Sequence, residues 1–260
     1  MLNDLAIAGL TVSVLMWVLW AIQRRTRDAS SVDAAWALCI GACSVGYAVV
    51  GDGDAGRRML AGGLIAAWAL RLGGHLLIDR VLHATEEDGR YRAMREHWGA
   101  SANLHLAWFY QLQAFVAVAF SLPVLVAAND PRPLGPLDLA AAGWWVVCVG
   151  LVTLADRQLA GWRRDPANKG RTCRAGLWRW SRHPNYFFEW LHWFAYVPLA
   201  WGGPHGPWTF AAPALMLVFL LFLSGVPYTE ARALKTRGED YRRYQRETSM
   251  FVPFPPKTST

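Results

Sequence analysis

Asn185, Glu189 and His192 follow one another at steps of four and three, the spacing that brings side chains onto one helix face. An amide, a carboxyl group and an imidazole so placed can hold a polar ligand and handle protons. At membrane depth such groups are costly unless they pair or face a cavity. Just before and through them, GLWRWSRHPNYFFEW at 176–190 runs a cationic, aromatic-rich loop into an apolar helix. Eight cations crowd the stretch from Asp156 to Arg182: Arg157, Arg163, Arg164, Lys169, Arg171, Arg174, Arg179 and Arg182. A group this dense meets anionic lipid headgroups or grips a polyphosphate ligand at the bilayer surface. Asp33, Arg71 and His75 form a second polar set inside apolar runs, with Arg71 and His75 four apart on one face. They either polarise a substrate or supply an Asp33–Arg71 salt bridge that pins two helices.

The elements that must carry these groups are apolar runs at about 4–22, 33–50, 59–78, 106–128, 137–155, 185–201 and 208–227. Each is close to the roughly 20 residues that cross a ~30 Å hydrocarbon core. With 54% hydrophobic residues, only 17% charged ones and 15 Trp, they predict an all-α polytopic membrane protein of about seven transmembrane helices. The second and sixth runs are the weakest. The first run begins with Asn3 and Asp4 and is followed by Arg24, Arg25 and Arg27, which fits a membrane anchor better than a signal peptide.

Segments after the first, third, fifth and seventh runs hold 22 of the 26 Lys and Arg residues. By the positive-inside rule those segments are cytoplasmic, the amino terminus is outside and the carboxyl terminus inside. The net charge of +7 is therefore a topology signal that needs no nucleic-acid partner. The richness in Ala, Arg and Trp suggests a prokaryotic chain, so the expected location is a bacterial inner membrane with the active site toward the cytoplasm.

Cys39, Cys43, Cys148 and Cys173 have no zinc-like or disulfide spacing, and the seven His never form an HxxxH or HExxH set. No metal is expected. The turns GDGDAG, NDPRPLGP and GGPHGP are short. Residues 1–260 thus read as a single membrane domain, with a basic cofactor loop at 156–184 and an amphipathic tail at 230–260. In that tail Leu234, Tyr241 and Tyr244 share one side, which is expected to lie along the membrane surface.

The run from Gly176 to Glu189, the stretch from Asp156 to Arg171 and the closing Glu230, Tyr241, Tyr244 and Pro253 resemble the steroid 5-alpha-reductase family. RHPNY and its downstream Glu are also similar, more loosely, to sterol C14-reductases and to isoprenylcysteine and phospholipid methyltransferases. The resemblance covers most of the chain and implies NADPH-dependent reduction of the carbon–carbon double bond of a 3-oxo-4-ene steroid or similar enone lipid. It assigns cofactor contacts to Asp156, Arg163 and Arg171, and the nicotinamide end to Asn185 and Glu189. Arg179, Arg182 and His183 join them from the same loop, Arg164 adds a cation and Glu230 belongs to the closing pattern.

In human-type members a Glu on the second span and a Tyr on the third donate to the ketone. Here the alignment puts Asp33 at the first position and Trp68 at the second, so the phenol must come from elsewhere. Tyr110 and Tyr228 are the candidates, and Arg71 is a further catalytic candidate. Two other readings compete: an S-adenosylmethionine-dependent lipid or isoprenylcysteine-type methyltransferase, and a noncatalytic lipid-binding protein. The expected partners are an apolar enone and membrane lipids, with the chain acting as a monomer.

Overall fold

The structure, a computed structural model, describes residues 1–203 and 205–257 and is all-helical. Its helices are α1 (Leu2–Thr26), α2 (Ser31–Val50), α3 (Ala55–Leu77), α4 (Gly89–Trp98), α5 (Ala102–Ala127), α6 (Pro136–Arg164), α7 (Pro184–His192), α8 (Tyr196–Ala200), α9 (Ala211–Val218), α10 (Val226–Arg237) and α11 (Glu239–Glu247). Among the described residues six helical stretches are long and apolar enough to span a membrane: Leu2–Thr26, Ser31–Val50, Ala55–Leu82, Gly89–Ala127, Pro136–Arg164 and Gly206–Arg237. The chain is a polytopic membrane protein.

The expected sixth span differs. Residues 184–200 form α7, a 3₁₀ turn at Trp193–Ala195 and the five-residue α8, which holds Pro198. A proline nitrogen carries no hydrogen to donate, so the helical ladder is interrupted there. The last span is interrupted as well: α9 passes through a π turn at Phe219–Leu223, and α10 begins afresh at Val226.

The chain forms two compact units. The first comprises Met1–Asp138 and Leu199–Thr209. In it α2 packs closely on α3, where a Cβ added at Gly41 would stand 2.5 Å from the Cβ of Ala69. Such small residues let helix backbones approach in an apolar solvent that offers no hydrophobic driving force. The core is aromatic, with Trp36 set edge-on against both Trp68 and Phe120 at 6.2 and 5.6 Å. At one end of this unit the fully buried Arg57 spends all five N–H groups: on the Arg132, Pro133 and Leu199 carbonyls and on both oxygens of Asp138.

The second unit comprises Leu139–Pro198 and Phe210–Thr260. Its indoles tie elements together: Trp145 Nε1 donates to the Tyr196 hydroxyl, and Trp190 Nε1 to the Pro213 carbonyl. The tail does not present Tyr241 and Tyr244 outward. Both are buried with Ala233, and Leu234 packs against them. The side of the tail that carries Leu234, Tyr241 and Tyr244 therefore packs within the unit.

Candidate functional site

Helix α6 outlasts the apolar run that starts it and carries Asp156, Arg163 and Arg164 on a helix rather than in a loop. It ends where Pro166 pushes Asp165 out of the helical region. The chain then turns through Pro166–Asn168 and folds back, and a cavity of about 560 Å³ opens beside the helix end. Arg163, Arg164, Lys169 and Arg171 line it, joined by Arg237 from the end of α10. Arg232 and Arg237 are near enough to Arg163 to repel it. Five cations against the single carboxylate of Asp165 leave an excess of positive charge that a ligand with several negative charges stabilises, and guanidiniums hold phosphates through paired N–H groups.

Not every expected cation faces this cavity. Arg182 Nε donates to Glu230 Oε1 at 2.7 Å, and its Nη1 donates to the Gln245 and Thr248 carbonyls. His183 Nε2 lies 3.3 Å from the same Glu230 oxygen, to which Tyr241 also donates, and Gln245 Nε2 donates to the other oxygen at 2.8 Å. Arg182, His183 and Glu230 therefore fasten α10 and α11 to the segment before α7. Arg179 is exposed in the 3₁₀ turn Gly176–Arg179. That turn depends on Gly176, whose φ of +58° suits glycine and whose missing side chain leaves room for Gln158 to accept from Leu177 N at 2.9 Å.

Asn185 and Asp156 do come together, with the amide Nδ2 donating to Oδ1 at 3.0 Å. Pro184 opens α7 at its first turn, where it displaces no bond. Glu189 and His192 follow as buried members of the same helix, and His192 turns Nδ1 back onto the Glu189 carbonyl. Behind the loop, Asp240 accepts from Thr172 N at 2.7 Å and from Arg174 Nη2 at 3.2 Å. Burial works to raise the Asp240 carboxyl, but the Thr172 hydrogen bonds and the Arg174 charge hold it below the usual range. Burial pushes the nearby Cys173 thiol up.

The first unit holds a second polar cluster. Asp33 accepts from Arg80 Nη1, from Arg90 Nη2 and, at 2.7 Å, from the Tyr91 hydroxyl. Asp88 caps α4, accepting from Arg90 N at 2.9 Å, while its own N–H donates to Ser30 Oγ at 2.8 Å. Burial would raise the Asp88 carboxyl, and the Arg90 amide together with the Arg90 and Arg80 charges lowers it instead. Arg80, Arg90 and Tyr91 were not singled out in the sequence, because they follow the apolar run of α3 in a polar stretch that has no span periodicity.

His75 is exposed and pairs with Asp79 at 3.5 Å. Trp68 and Tyr110 are fully buried in α3 and α5, Arg71 is half-buried in α3, and Tyr228 is half-buried in α10. Arg237 was also missed, since nothing in one dimension marks which tail cation returns to the cavity.

A family model described as "Protein of unknown function (DUF1295)" matches residues 19–248. An uncharacterized protein of Schizosaccharomyces pombe is 27% identical over 217 residues, covering 73% of this chain and 63% of its own length. The chain thus spans less than two thirds of that relative. No solved structure matches.

Proposed function

The chain belongs to the DUF1295 family, and from that footing we propose that it is an NADPH-dependent reductase of the carbon–carbon double bond of an enone lipid, a 3-oxo-4-ene steroid or a molecule of that shape. The observation that carries the reading is the 560 Å³ cavity with Arg163, Arg164, Lys169, Arg171 and Arg237 in its wall. A dinucleotide with a diphosphate and a third phosphate fits that charge. S-adenosylmethionine has no phosphate and would leave the cations without a use.

NADPH, when bound, supplies a hydride to the enone carbon beta to the ketone. The chain's own residues do the rest. The cavity cations hold phosphate, and Asp156 fixes the Asn185 amide, whose orientation the nicotinamide end requires. Negative charge develops on the ketone oxygen, where a hydrogen-bond donor stabilises it, and a proton from water at the alpha carbon completes the saturated product.

The test is turnover of detergent-purified protein with NADPH and progesterone, followed by loss of nicotinamide absorbance and by mass of the saturated product. Saturated product supports the reading. Thermal protection by S-adenosylmethionine and not by NADPH would overturn it.

A further inference from the structure

A smaller cavity of about 280 Å³ adjoins the cationic one, lined by Trp162, Arg171, Thr172, Arg174, Ala175 and Asp240. Trp162 and Arg171 belong to both walls. Among the described residues, Trp162 Nε1 and Arg174 Nε are buried N–H donors that meet no acceptor. A buried donor left in that condition is destabilising, so it calls for an acceptor to arrive.

Asp240 does not serve these donors, because its carboxylate is engaged by Thr172 N and Arg174 Nη2. Its backbone carbonyl accepts from the same Nη2 at 2.8 Å. These bonds, with the Tyr244 ring 5.8 Å from the Arg174 guanidinium, fix the orientation of that side chain. The wall therefore presents preset donors and positive charge, and it meets the larger cavity through one shared arginine.

We propose that this small cavity is the subsite for the 2′-phosphate of NADPH, with Arg174 and Trp162 donating to it. Arg171 then serves two anionic groups of one ligand, the 2′-phosphate on one side and the diphosphate on the other. A phosphate monoester accepts hydrogen bonds from several directions and carries nearly two charges, which matches walls that offer donors and cations. This assignment rests on the reductase reading, and it makes Arg174 and Trp162 the residues that distinguish NADPH from NADH.

Calorimetric titration of the full chain in detergent with NADPH and with NADH tests it without turnover. The wild type is expected to prefer NADPH. Arg174→Gln is expected to cut that preference about tenfold or more by weakening NADPH and leaving NADH unchanged. Trp162→Phe removes only an N–H that bonds to nothing in the folded chain, so it keeps the fold and is expected to cut the preference about threefold. Equal binding of both nucleotides by the wild type, or an unchanged preference in both variants, would overturn the subsite while leaving the reductase standing. Binding of neither nucleotide would remove the reductase reading and the subsite with it.

Discussion

Asp33 accepts from Arg80, Arg90 and Tyr91 at once, which is the reverse of the donor role that its alignment to a catalytic Glu suggested. Its effect is to aim the Tyr91 phenol and the two guanidiniums. Tyr91→Phe removes one hydrogen bond to this charged group and is expected to destabilise the protein by about 1.5–3 kcal/mol. Asp33→Asn takes the charge from between Arg80 and Arg90 and is expected to cost more. Unfolding midpoints in detergent measure both, and an unchanged midpoint in Tyr91→Phe would show that the bond carries no net stability.

Two fastenings decide how elements are held. The Arg57 guanidinium joins the start of α3 to the start of α6 and to the Leu199 carbonyl, with its side chain only 2% exposed. Arg57→Ala leaves Asp138 buried and unpaired and is expected to destabilise the protein by about 3–5 kcal/mol. Lysine cannot restore it, because it has no planar fork of donors; unfolding midpoints in detergent will show both losses. The other fastening is Asp240, which ties α11 to the chain at Thr172 and Arg174. Its folded carboxyl lies below the unfolded value of about 3.9. Its contribution is therefore present above that value and is lost as pH falls through the folded one. Melting temperature should hold between about pH 8 and 5, drop below about 4, and drop less steeply in Asp240→Asn.

On the scale of the whole chain, the interrupted stretch 184–200 raises the question of how many times the membrane is crossed. Within the second unit Arg182 bonds to Glu230, Thr172 to Asp240, and Tyr244 to the Trp178 and Ser181 carbonyls. Residues 172–182 and 230–244 thus lie on one side of any bilayer, and the chain between them crosses an even number of times. With Gly206–Arg237 as one crossing, we predict that α7 and α8 make the other, for seven in all. Cysteines placed at Lys169 and at His205 in a cysteine-free background are then expected to react with an impermeant maleimide from opposite sides. By the positive-inside rule Lys169 is expected to be labelled from the cytoplasmic side. Labelling of both from one side would refute the seventh crossing.

The runs of apolar residues determined the helical class and nearly every long span by themselves, because burying backbone in hydrocarbon permits a single local solution. RHPNY, Asp156 and the Arg163–Arg171 group were likewise visible, since charge density and spacing are one-dimensional properties. Tertiary structure alone decided which cations share a cavity. It brought Arg237 in from α10, turned Arg182 and Glu230 to fastening, and set Tyr91 rather than Tyr110 or Tyr228 against Asp33. Those outcomes depend on contacts between residues tens of positions apart. No local periodicity encodes such contacts, and they form only where packing makes burial of the polar groups tolerable.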